Sequence, residues 1–139
     1  MRFLAHAIRG ELPGGLKLEK RPVHKLVASL DQESSEYRDL VRSAGAHRAV
    51  VNGGLVEPIL LAAGTEHVLE GVARILWAES RALSSLPVVL LDVPEEREAE
   101  LGLQLRQLRA RNISFDPERI SRLARDIRAR AYAAMERVR

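Results

Sequence analysis

The 139-residue chain contains no cysteine. This excludes disulfides, thiolate metal sites and cysteine nucleophiles, and it suits a cytoplasmic protein. Aromatic residues are scarce, at one Trp, two Tyr and two Phe, and the lone Trp77 reads as a packing residue. No apolar run approaches the roughly 18 residues that a membrane helix requires, so no membrane association is expected. The opening stretch Met1 to Gly10 is too charged and too short in its apolar part for a signal peptide. The four histidines, His6, His24, His47 and His67, never fall at i, i+4 spacing, and no metal site is expected from them. A Gly-x-Ser-x-Gly nucleophile elbow is also missing.

What the chain does hold is ordinary for one globular domain, with 46% hydrophobic and 29% charged residues. Its net charge of +3 conceals an asymmetry. From Arg106 onward there are ten arginines against Asp116, Glu118, Asp126 and Glu136, a local excess of +6, which leaves −3 for everything before. All ten are arginine rather than lysine, and the guanidinium fork suits phosphate oxygens. Arg109, Arg111, Arg119, Arg122, Arg125 and Arg128 are therefore candidate DNA contacts. The competing reading is a solvated helix face in an arginine-favouring composition.

Punctuation divides the chain into an N-terminal arm over residues 1–15, ending in Leu12-Pro13-Gly14-Gly15, an α/β core over 16–94, and a helical segment over 95–139 packed on that core. A short strand is expected within Pro22 to Val27, and a helix capped by Ser34 or Ser35 and closed by Gly45. Strands are expected near Val56 to Leu61 and His67 to Leu69, then a helix from Val72 to Leu83. A buried strand over Val88 to Asp92 follows. Pro94 opens the next helix, with Glu95, Glu96 and Glu98 favouring its dipole and Leu101, Leu105 and Leu108 on one face. Asp116-Pro117 caps the last helix, whose apolar stripe is Ile120, Leu123, Ile127, Ala131, Ala134 and Val138. The leucines beyond what a small sheet covers, Leu103 among them, point to a homodimer through these helices.

The glycine at the strand-to-helix junction, Gly71, with Arg74 in the helix's first turn, makes a generic anion site. The alternative is a plain turn glycine with Arg74 paired to Glu70. The order of parts resembles the N-terminal domain of ParB-type partition proteins, a fold shared with sulfiredoxin and a free-serine kinase family. The resemblance rests on Leu40 to Gly45 as a helix end and Glu57-Pro58-Ile59-Leu60-Leu61 as a Pro-Ile strand. Val68-Leu69-Glu70-Gly71 stands for the strand into the signature turn, Leu86-Pro87-Val88-Val89-Leu90 for the following strand, and Phe115-Asp116-Pro117-Glu118 for a helix start. It covers roughly Pro22 to Ala124.

The resemblance implies a mixed α/β (α+β) fold and a phosphate or nucleotide pocket at Gly71 and Arg74, with CTP or ATP and magnesium as the implied ligands. The family's Gly-Glu-Arg-Arg signature is here Gly71-Val72-Ala73-Arg74, and its Glu-Asn pair falls near Leu108-Arg109. The expected function is a ParB-like binding or regulatory module associated with DNA, carrying a degenerate pocket. As an enzyme of the same fold, a nucleotide hydrolase or small-molecule phosphotransferase, it would use Asp31 or Glu33 as general base. A non-catalytic assembly protein is the third expectation. The chain stops short of a partition protein's helix-turn-helix domain, so sequence-specific DNA reading is not expected.

Overall fold

The computed structural model describes residues 12–30, 51–52, 55–111 and 116–138. The expected helix near Glu36 to Gly45, and with it Asp31 and Glu33, lies outside the described residues. The architecture is mixed α/β. A four-stranded sheet has the order β1 (Leu18–Pro22), β6 (Ser85–Leu91), β4 (Ile59–Ala62), β5 (Val68–Glu70). A separate two-stranded ribbon pairs β2 (Val51–Asn52) with β3 (Leu55–Val56). In the main sheet β6 runs antiparallel to β1 and parallel to β4, while β4 and β5 form an antiparallel pair.

Two residue choices explain the outer and inner strands. β1 is an edge, and its Leu18-Glu19-Lys20-Arg21-Pro22 text carries the charges and terminal proline that an edge tolerates. β6 sits between two neighbours and is correspondingly apolar. Its Pro87 faces Lys20 of β1, whereas pairing with β4 begins only at Val88, so the missing N–H falls before the strand is flanked on both sides.

Alternation along the two central strands feeds two cores. On one face Leu60, Ala62, Val89 and Leu91 join Leu101 and Leu105 of α3 (Glu98–Ala110) and Ile120, Ala124 and Ile127 of α4 (Pro117–Val138). On the other, Ile59, Leu61, Leu86 and Val88 meet Val23 and Leu26 of α1 (Val23–Ala28) and Ile75 and Ala78 of α2 (Val72–Ser80). The C-terminal helices α3 and α4 thus cover one face of the sheet. Gly102, buried in α3, lies against the backbone of Leu69; a Cβ there would stand 3.2 Å from the Leu69 carbonyl oxygen, so its bare Cα lets helix and edge strand close up.

Several expectations are corrected. The strand at Pro22 to Val27 is instead helix α1. Pro22 holds the extended φ of −61° and ψ of 136° that ends β1, and Val23 and Leu26 share one buried helical face. At the end of the expected arm, Leu12 is buried in the core and the Gly14 carbonyl accepts a 2.8 Å hydrogen bond from Ser121 Oγ of α4. Helix α2 ends at Ser80 rather than Leu83, and Leu83 is exposed. The helix after Pro94 opens with a 3-10 turn, Glu95–Arg97, before α3. Within it Glu98 does more than favour a dipole. It is buried, its Oε2 accepts from Thr65 Oγ1 at 2.8 Å, and its Oε1 lies 2.7 Å from His67 Nδ1, tying the β4–β5 turn to the start of α3. The cap at Asp116 forms as expected, with Asp116 Oδ1 accepting from the Arg119 N–H at 3.1 Å.

Candidate functional site

Gly71 ends β5 and precedes α2 with φ 122°, a backbone state that side chains disfavour. A Cβ on it would stand 2.8 Å from Ile59 Cδ1 and 3.0 Å from Arg74 Nη2. The glycine is therefore required twice, by conformation and by space. Gly71→Ala is expected to lower the urea midpoint by an amount equivalent to about 1–3 kcal/mol with an unchanged m-value. An unchanged midpoint would show that the turn relaxes freely.

Arg74, in the first turn of α2, is 2% exposed, and the alternative pairing with Glu70 is the one that forms. The carboxylate of Glu70, at the end of β5, pairs with its Nη2, and Glu57 Oε2 lies 3.5 Å from its Nη1. Glu57 is itself buried just ahead of β4, and its Oε2 also pairs with Arg109 from the last turn of α3. Two carboxylates and two guanidiniums thus meet where β4, β5, α2 and α3 converge. Glu57 and Arg74 are buried and Glu70 is mostly so, while Arg109 retains 31% side-chain exposure.

Burial dominates the electrostatics. Loss of water raises the Glu70 carboxyl above its ordinary range even though Arg74 and Arg109 pull it down, and Glu57 adds to the rise. The same loss of water lowers Arg74, with Glu70 opposing and Arg109 reinforcing the shift. Among the described residues no buried side-chain nitrogen or oxygen lacks a hydrogen-bond partner.

Beside it is a cavity of about 40 Å³, walled by Glu57, Glu70, Arg74 and Arg109, by Asp116 and Arg119 at the start of α4, and by leucines of β4 and α3. At roughly 10–15 Å³ for each water, that admits about three waters. This space is small against a whole nucleotide and nearer the size of one oxyanion group. Glu57, Glu70 and Asp116 were not among the sequence candidates. Glu70 was legible as an i−4 partner of Arg74, but Glu57 carried no signal beyond being a charge beside a Pro-Ile strand.

The six candidate DNA contacts separate into two groups. Arg109 pairs with Glu57, and Arg128 is tied to Asp92 by a 2.9 Å contact from its Nη1. Arg111, Arg119, Arg122 and Arg125 are exposed. Arg111, Arg119 and Arg122 stand around an open groove of about 670 Å³ between α3 and α4, with Leu103, Leu108 and Leu123, Gln104 and Gln107, and Asp126 completing it. No helix among the described residues is long and apolar enough to cross a membrane. No protein-family model matches this chain, and neither does any curated protein or solved structure searched.

Proposed function

We propose that this chain is a ParB-like binding module that contacts the phosphate backbone of DNA through the outward arginines of α3 and α4, and that its Gly71–Arg74 pocket is degenerate. The observation that carries this reading is the division of the arginines. Arg74 is consumed by Glu70 and Glu57, whereas Arg111, Arg119, Arg122 and Arg125 reach solvent from adjoining parts of two packed helices. Against the enzymatic alternative, with CTP or ATP and magnesium at Gly71 and Arg74, counts the size of the cavity and the pairing of its arginine.

Fluorescence anisotropy on a labelled 20-base-pair duplex, titrated from low to physiological salt, tests the proposal. Binding should weaken steeply with salt as counterions are released. Replacing Arg111, Arg122 and Arg125 together by alanine should cost at least about tenfold in affinity and flatten the log–log salt slope by about three. Absence of low-salt binding, or a triple variant that binds like wild type, would sink the reading.

A second reading, a homodimeric assembly protein, draws on the apolar side chains that the C-terminal helices leave in water: Leu103 at 51%, Tyr132 at 54% and Met135 at 52% exposure. Sedimentation equilibrium decides it, and a monomer at tens of micromolar removes it.

A further inference from the structure

The Glu57 carboxylate bridges two guanidiniums that come from different elements, Arg74 of α2 and Arg109 of α3. One of them is already matched by Glu70. A third guanidinium, Arg119, and the start of α2 at Gly71 lie around the same small cavity. One carboxylate oxygen, Glu57 Oε2, approached by an Nη1 from each of two arginines marks a position that an oxygen of a phosphate, sulfate or carboxylate group can take. We propose that this is a small-oxyanion site whose occupant is the chain's own Glu57, an internal ligand that keeps free phosphate-class anions out. Of the outward arginines offered to DNA the inference draws on Arg119 alone, and its test involves no duplex.

Charge and space both follow from this assignment. With Glu57 in place, the cavity walls carry three carboxylates, Glu57, Glu70 and Asp116, against three guanidiniums, Arg74, Arg109 and Arg119. An entering dianion meets no excess positive charge and must displace a buried, doubly paired carboxylate. Neutralising Glu57 leaves one positive charge in excess and keeps the shape of the side chain. Arg74 retains Glu70, so its charge stays paired, and Arg109 is partly exposed and can be hydrated. Arg109 is the member of the cluster with the solvent access through which an anion would enter.

The experiment compares wild type, Glu57→Gln and the double variant Glu57→Gln/Arg109→Ala by thermal melting, in inorganic phosphate and in sodium chloride of equal ionic strength. Phosphate at ten times its Kd should raise the Tm of Glu57→Gln by about 5 °C relative to chloride. Wild type should show less than about 1 °C, and the double variant should lose the rise. Equal phosphate shifts in wild type and Glu57→Gln would overturn the assignment, as would a rise that survives removal of Arg109, because the anion would then sit elsewhere. Should Glu57→Gln fail to fold, Glu57→Ala carries the same comparison, since it too removes the charge and vacates the position between the guanidiniums; a shift no larger than wild type's would again refute the proposal. Failure of duplex binding in the separate anisotropy experiment leaves this result untouched.

Discussion

Arg74→Ala is expected to melt far below wild type, by about 10 °C or more, and to do so equally with and without CTP or ATP and magnesium. The reason is the surroundings of the side chain. Removing one partner of a buried, hydrogen-bonded ion pair leaves the other charge without water or counterion, a loss of about 3–5 kcal/mol. Here two carboxylates, Glu57 and Glu70, lose a shared cation at once, and Arg109 pairs directly with Glu57 alone, reaching Glu70 only through its field. For a domain of this size each kcal/mol moves Tm by about 3–4 °C. The check is calorimetry on both proteins across nucleotide concentrations. A variant that melts like wild type without nucleotide, yet loses a wild-type nucleotide shift, would restore a live nucleotide pocket.

The second large effect separates two leucines of one helix. Leu101 is 0% exposed and belongs to the core shared by β4, β6 and α4, whereas Leu103, two residues on, is 51% exposed. Leu101→Ala should cost about 2–5 kcal/mol, the sum of lost burial and the cavity left behind. Leu103→Ala should fall within about 0.5 kcal/mol of wild type. Chemical denaturation of both variants measures the contrast. A stability loss at Leu103 comparable to that at Leu101 would mean that the outer face of α3 is covered in solution, and the homodimer reading would gain.

Where local chemistry decides, the sequence was readable. The run Leu86-Pro87-Val88-Val89-Leu90-Leu91 is apolar at every position, as a strand buried on both faces must be, and it is the inner strand β6. Asp116-Pro117 places a cap and a fixed φ together, and α4 begins there. Pro22 to Val27 misled because valines favour strands, and the tertiary demand won: Val23 and Leu26 lie three apart, and as a helix both reach the core beneath α2. The candidate site was half legible for the same reason. Gly71 and the Glu70–Arg74 spacing are local, and both appear in the structure. Glu57 and Arg109 are distant in the chain and meet only because α3 returns over β5 after β6 is laid down. No window of sequence contains that encounter, so Arg109 read as a surface cation like its neighbours.

The central position of β6 also bears on the route by which the chain folds. Its pairing with β4, for example Ile59 with Val88, closes over β5 and α2 alone, whereas its pairing with β1 joins Lys20 to Pro87. The longer closure costs only about 0.7 kcal/mol more in chain entropy, since the cost grows with the logarithm of length. Geometry adds the larger asymmetry. β1 is charged and an edge, so it gains its contacts only against a β6 already held flat by β4. The β4–β5–α2–β6 unit is therefore the natural nucleus, with β1 and α1 joining late. Substitutions in β1 would then act on the unfolding limb of a chevron, and those at Leu61 or Val88 on the folding limb.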